Sequence, residues 1–307
     1  MIRYIKHSEI DKIKWDRCIR GSIHPLIYAV SWYLDVVSPG WDALIDGDYK
    51  LVMPVTWKKK YGISYICQPH FTQQLGIFGK TASEKIQTDE FTDVLKNHYK
   101  YIEMNINQNN SYSKSTFNII RNCNYELHLN SPYEKLAADF SLNTNRNIKK
   151  AQSAGLRIDI TNSKEDAISL VKQFRRNIKR KHPELKKDYF DTLKNIIEIT
   201  KEKNGLTVIK CQAEDDKVIA CAFFITYEKR SIFIFSGNSE DGRKYGAMHL
   251  IINKFIDLNA GNDIILDFEG SNNPGLARFY KSFGSKEYLF LRLKRNNLSY
   301  MLKYIKR

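Results

Sequence analysis

Apolar positions between Ile264 and Gly284 change their period once. Ile264, Ile265, Leu266 and Phe268 form a short apolar run of strand formers. From Leu276 the spacing becomes helical: Leu276, Phe279 and Phe283 fall at i, i+3 and i+7, and Gly284 stops the helix. Between them, 270–275 is rich in Gly, Ser, Asn and Pro, with Asn273 as cap and Pro274 in the first turn. Just upstream, 231–237 reads as another strand and 238–246 is polar and punctuated by Gly. A helix follows from Ala247, with Met248, Ile251, Ile252 and Phe255 on one face. The order is strand, loop, helix, strand, loop, helix. Backbone N–H groups at the start of the first helix suit an oxyanion, and loops beyond strand ends are where α/β sheets place chemistry. The same pattern also serves an ordinary βαβ unit without a ligand.

The rest of the chain reads as the same order twice. The first half opens with a strand at 2–5 and helical patterns at 10–19 and 30–37. A hairpin, 41–45 with 51–56, turns at Asp46-Gly47-Asp48. Strand 63–67, loop 68–76, helix 83–97 and strands 101–106 and 125–129 follow, with a polar connection at 107–115. The second half gives helix 143–153, strand 156–160, helices 164–180 and 189–203, and hairpin 206–212 with 218–227. After the segments already described come a strand at 288–293 and a basic helix at 298–304. With 307 residues, the expectation is an α/β protein of two domains, 1–130 and 131–307, each a mixed sheet flanked by helices.

A formal net charge of +15 points to an anionic partner: nucleic acid, a phosphorylated small molecule or an anionic membrane surface. Simple basic solubility gives the same number. The densest run is Arg175, Arg176, Lys179, Arg180 and Lys181, continued by Lys186 and Lys187, with Arg146, Lys149 and Lys150 before it. It reads either as a polyanion-binding face or as a solvated helix face. Phe174, Tyr189 and Phe190 sit at helix-core spacing rather than as a base-stacking platform. Five cysteines without a CxxC, and a start without an apolar signal core, imply a reduced, cytoplasmic protein. No stretch approaches the ~20 apolar residues of a membrane span. No His, Cys and carboxylate set has metal spacing. Gly-x-Ser-x-Gly and Walker patterns are absent, which leaves hydrolase and NTPase readings unsupported.

The segment Asn273-x-x-x-Ala277-x-Phe279-Tyr280-Lys-x-x-Gly284 resembles the ending of a GNAT (GCN5-related acyltransferase) domain. Gly242-Arg-Lys-Tyr-Gly246-Ala247 resembles the acyl-CoA pyrophosphate loop, with Met248 where a small residue usually stands. Leu266-Asp-Phe-Glu-Gly-Ser271, Phe279-x-x-x-Phe283-Gly284 and the basic helix 143–155 are similar to the Fem-like branch, in which two GNAT-like domains are joined. Fem ligases typically carry Lys where this chain has Tyr280.

The resemblance implies two tandem GNAT-like domains and transfer of an acyl or aminoacyl group to a primary amine of a small molecule or peptide. Cell-wall precursors are the acceptors in the Fem branch. It implies no tightly bound cofactor and a donor cosubstrate, acyl-CoA or aminoacyl-tRNA. Gly242, Arg243, Gly246 and Ala247 would hold the donor's phosphates. Asn273 would be a helix cap first and a ligand contact second. Tyr280 would protonate the leaving group, since an ordinary Tyr titrates near 10 and keeps its proton; its other reading is a packing residue. Glu269 or Asp267 would take the amine's proton, strand alternation putting them on one face; their other reading is loop capping. His70, Gln73 and Gln74 of the 68–74 loop, with Arg175 and Arg176, are the substrate-binding candidates; a structural loop and a solvated helix are their plainer readings. Tyr280 leans towards acyl-CoA, Met248 and the +15 charge towards tRNA. The alternative is a non-catalytic GNAT-like protein that binds RNA or an anionic membrane surface.

Overall fold

Strong β-formers with short polar turns account for most of the sheet structure seen here. The structure, a computed structural model, describes residues 1–81 and 85–298, with Lys181 described by its backbone alone. The first half of the chain runs β1 (Ile2–Ile5), α1 (Lys12–Arg20), α2 (Ser31–Val37), β2 (Asp42–Asp46), β3 (Leu51–Val55), β4 (Trp57–Lys60), β5 (Ile63–Ile66), β6 (Phe78–Gly79), β7 (Ile86–Gln87), α3 (Asp89–His98), β8 (Tyr101–Ile106), β9 (Asn110–Ser111) and β10 (Asn118–His128). It continues α4 (Tyr133–Ala138), α5 (Leu142–Ser153), β11 (Arg157–Thr161), α6 (Lys164–Lys181), α7 (Lys187–Glu202), β12 (Leu206–Gln212), β13 (Val218–Tyr227), β14 (Arg230–Asn238), α8 (Glu240–Tyr245), α9 (Ala247–Asn259), β15 (Ile265–Asp267), α10 (Pro274–Lys281) and β16 (Lys286–Asn296).

The chain divides into two units, Met1–Asn122 with Leu289–Arg307, and Cys123–Tyr288. The divisions fall at 122/123 and 288/289, and not at one break near 130. The end of β16 pairs antiparallel with β8, from Leu291↔Ile106 to Asn296↔Tyr101, and Leu293 is fully buried in the first unit's core with Leu44, Met53, Ile102 and Ile106. That unit also has a four-stranded sheet, β1-β2-β3-β6, and a two-stranded one, β7-β9; the expected hairpin is in the former as β2 on β3. The helix expected over 83–97 begins at Asp89, because Ile86–Gln87 pairs with β9 instead; residues 82–84 lie outside the described residues. So does the helix expected over 298–304, apart from Leu298.

In the second unit the strand order is β11-β12-β13-β14-β15-β10. All neighbours are antiparallel except β14 and β15, which are parallel and joined through α8 and α9. β13 is buried almost end to end, as a strand covered on both faces should be. Phe224 stacks on Phe255 of α9 at 3.9 Å between ring centroids. On the other face Phe223 meets Phe235, and Phe174 of α6 lies over Gly237 so closely that a Cβ there would stand 2.3 Å from the ring. The polar stretch at 238–246 is not all loop. Ser239 accepts the Gly242 N–H at 3.0 Å and so starts α8, which ends at Gly246 in the left-handed region, φ 77°. Six residues without an apolar period give the pattern nothing to register.

Candidate active site

The site forms where the two parallel strands stop pairing. β14 and β15 are in register only from Arg230↔Ile265 to Ile232↔Asp267. The residues just beyond, on both sides of the split, line two adjoining cavities. One, of about 530 Å³, includes Asn177, His182, Tyr189, Ile234 and Glu269 in its wall. The other, of about 310 Å³, includes Gly242, Arg243, Gly246, Met248 and His249. Phe233, Ser236, Asn238, Leu276 and Tyr280 line both.

A buried ion cluster ends the pairing. Arg230 Nη1 donates to Asp267 Oδ2 at 2.7 Å and to Glu126 Oε1 at 2.8 Å, and all three side chains are almost wholly buried. Burial raises the Glu126 carboxyl, with the Arg230 charge opposing. Burial alone would lower Arg230, but the charges of Asp267 and Glu126 outweigh it and its guanidinium stays charged. Asp267 therefore faces Arg230 and lines neither cavity. Its Oδ1 accepts the Glu269 N–H at 2.9 Å. The strand does not persist to Glu269: Glu269 and Gly270 are both left-handed, φ 55° and 50°. The expected shared face of Asp267 and Glu269 is thus lost, because the turn rotates Glu269 into the larger cavity. Gly270 is required, since a Cβ there would stand 2.1 Å from the Cys123 carbonyl oxygen. Left-handed backbone at a residue other than glycine is characteristic of functional sites held by their surroundings.

Asn273 is the cap its position suggests: its Oδ1 accepts from Gly275 N at 2.9 Å and Leu276 N at 3.3 Å. Pro274 follows in the first turn. The helix so started, α10, carries Tyr280 into the seam between the cavities. The ring stacks on Phe268 with centroids 4.9 Å apart. Burial, then the Glu269 charge, push the Tyr280 hydroxyl well above its ordinary value, and the same two causes act on Tyr189. One carboxylate thus influences both phenols. His249, against Phe279, is lowered to about 4 by burial and is neutral.

Gly242 and Gly246 both have packing reasons to be glycine. A Cβ at Gly242 would meet Asn238 Oδ1 at 2.2 Å and the Ile219 carbonyl oxygen at 2.6 Å. One at Gly246 would meet the Asn147 carbonyl oxygen of α5 at 2.8 Å. Ala247, fully buried, opens α9, and Met248 is buried beside it. Arg243 is aimed by a hydrogen bond from Nη1 to the Asn238 carbonyl at 2.9 Å.

The other candidates are not among the residues that line these two cavities. Gln74 is fully buried in the first unit, where its Oε1 accepts from Gln108 N at 3.1 Å and its Nε2 donates to Gln73 Oε1 at 2.8 Å. His70 is exposed on the same loop. Arg175 lays its guanidinium over the Phe190 ring at 4.7 Å, tying α6 to α7. Arg176 is exposed. Two residues, Tyr189 and Ile234, escaped the sequence reading, and a third, Asn238, entered it only as the first residue of the polar stretch expected to hold the donor's phosphates. Tyr189, which the spacing assigns to a helix core, lines the larger cavity. Asn238 has a buried side-chain oxygen without a partner among the described residues. Ile234 has no partner in the β13–β14 ladder, which steps from Phe223↔Phe235 to Phe224↔Phe233; such bulges occur beside active sites and free backbone groups. Only Asn238, a polar residue ending an apolar strand, left a signal in the sequence.

Residues 138–281 match the family profile described as an acetyltransferase (GNAT) domain. A comparison with curated protein sequences finds no match. Among solved structures, FemX superposes with a TM-score of 0.67 at 10% identity, over 99% of this chain and 100% of that one. The C-terminal domain of a putative lysylphosphatidylglycerol synthetase from Agrobacterium fabrum gives 0.59 at 11% identity, over 93% and 92%. A tandem GNAT protein from the clavulanic acid biosynthesis pathway gives 0.52 at 8%, over 96% and 98%. The split parallel pair, the capped helix behind it and the profile match lie in the same stretch of chain: residues 138–281 match a GNAT acetyltransferase domain, and the chain as a whole has the fold seen in FemX and in a tandem GNAT protein.

Proposed function

We propose that this protein transfers an acyl or aminoacyl group to a primary amine, with the donor in the smaller cavity and the acceptor in the larger. The observation that carries this is the position of Tyr280 in the wall both cavities share. The start of α9 and Arg243 offer the donor's phosphates N–H groups and a positive charge. In the larger cavity Glu269 attracts the ammonium form of the acceptor and takes its proton, directly or through water. The amine nitrogen then attacks the donor carbonyl carbon. The oxyanion that forms finds backbone N–H at the Ile234 bulge. As the bond to the leaving sulfur or oxygen breaks, Tyr280 protonates that atom, and the second proton of the attacking nitrogen passes, directly or through water, to the tyrosinate, which leaves a neutral amide and restores Tyr280. Asp267 and Arg230 act through the Glu269 backbone and touch neither substrate.

Both donors suit this scheme. The raised Tyr280 hydroxyl favours the ester: a weak acid gives its proton more readily to a ribose oxygen than to a thiolate, whose conjugate acid titrates near 8.5. A non-catalytic reading is favoured by one fact, that packing alone explains Gly242 and Gly246. The test is to incubate the protein with acetyl-CoA or with charged tRNA and a panel of amines and peptides, cell-wall precursor peptides among them, and to look for N-acylated product by mass spectrometry. Product from charged tRNA supports the ester branch, and product from acetyl-CoA the thioester branch. Donor binding without product from either leaves the non-catalytic reading.

A further inference from the structure

The first unit has a cavity of about 500 Å³ that shares no residue with the site above. Lys14, Arg17 and Gly21 fall at i, i+3 and i+7 along and just past α1, and so share a face. The turn between β2 and β3 contributes Asp48, Tyr49 and Lys50, and the end of β6 contributes Gly79 and Lys80. The Lys80 stem passes beside Gly21, its Cε 3.8 Å from where a Cβ would stand, an ordinary contact distance. Lys14 is answered by Asp48 at 2.8 Å. Arg17, Lys50 and Lys80 have no ion-pair partner among the described residues. Cys18, also in the wall, is pushed up to about 11 by burial and stays neutral.

Arg17 sits in the last turn of α1, where a cation offsets the helix's negative end. That reason does not extend to Lys50 and Lys80, which arrive from other elements. Three cations without a close ion pair, of which Lys50 feels a carboxylate, Asp46, at longer range, stand around one concavity; they repel one another, and a concave wall focuses their field. We propose that this cavity binds a small phosphate-bearing anion of nucleotide size. The volume lies within the usual ligand-pocket range of about 300–1,000 Å³. Arg17 grips a phosphate with its planar fork, and Lys50 and Lys80 add point charges. The Tyr49 ring, held by a hydrogen bond from Asp11 N to its hydroxyl at 2.7 Å, offers a flat wall to the rest of the ligand.

The experiment is calorimetric titration of the full chain with inorganic pyrophosphate and with ADP, at low salt and at about 0.3 M salt. Saturable binding that weakens about tenfold or more with salt is expected. Replacing both cations, Arg17→Glu with Lys80→Glu, should abolish it; both side chains are exposed, and circular dichroism checks the fold. Asp48→Asn should act in the opposite direction, tightening binding several-fold, because it frees Lys14 and removes the cavity's one acid. All of these titrations are run in an Arg243→Ala background, which removes the phosphate-binding cation of the other cavity, so that the binding read is that of the first unit's cavity. No heat with either anion, binding that survives the double reversal, or weakening by Asp48→Asn overturns the proposal. Binding only to vesicles containing phosphatidic acid overturns it as well, since the phosphate would then be a lipid headgroup.

Discussion

Tyr280 and Asp267 show how little residue type says about role until the surroundings are known. Both are buried, yet one lines two cavities and the other is committed to Arg230. Tyr280→Phe should lower turnover by about 10²–10⁴-fold while leaving donor affinity and thermal stability nearly unchanged, because it removes a proton donor and keeps the ring. Steady-state kinetics beside a melting curve check this; unchanged turnover would make Tyr280 a packing residue. Asp267→Ala should act on stability first. It leaves Arg230 short of one buried partner, and breaking such a pair typically costs about 3–5 kcal/mol. Denaturant unfolding should show a loss on that scale, whereas a fall in activity at full stability would instead make Asp267 part of the chemistry. The left-handed pair Glu269–Gly270 is what separates the two acids. Nothing in the residues 264–270 alone announces that turn, because it is dictated by the approach of the Cys123 backbone to Gly270.

Elements with a strong period were legible, and elements without one were not. β12 and β13 fall where alternation and the polar turn put them, and α9 begins at Ala247 as its apolar face requires. The cap of α10 was legible too, since Asn followed by Pro is local chemistry. Asn273→Ala should cost about 1 kcal/mol, loosen the helix that carries Tyr280, and show first as faster amide exchange in its opening turn. No change in exchange there would mean that packing of Tyr280 on Phe268 fixes the helix without its cap. α4 and α8, six residues each, carry too few apolar positions to reveal a helix. On α6, Arg176, Lys179 and Arg180 are exposed, while Arg175 is held over Phe190. The run therefore splits into a solvated face and one packing residue. If the solvated part binds a polyanion, reversing Arg176 and Lys179 should abolish tRNA binding at low salt and leave the melting temperature within a degree or so. Binding retained in that variant would assign the contact elsewhere.

For the molecule as a whole, neutral His249 ties stability to pH. Its folded value lies near 4, below the ordinary 6.5. The unfolded chain therefore takes up a proton first as pH falls. The contribution is complete above 6.5 and is lost between 6.5 and 4, at no more than about 1.4 kcal/mol per pH unit. His249→Phe should flatten the fall in unfolding free energy over that window relative to the parent; an identical slope would show that other groups set it. Among the described residues no helix is long and apolar enough to cross a membrane, and no disulfide links any of the five cysteines. The sequence by itself determined most of the longer strands, the main helices, the cap at Asn273 and the place of the carboxylate at 269 and the phenol at 280 beside a strand end, because each rests on periodicity or on contacts a few residues long. Only the tertiary structure decided which strands pair, that β16 closes the first unit's sheet, and that Glu269, Tyr189, Asn238 and Tyr280 line adjoining cavities while Asp267 turns to Arg230. Those outcomes depend on backbones far apart in sequence coming within van der Waals distance, and on burial that sets the charge of each group once they do.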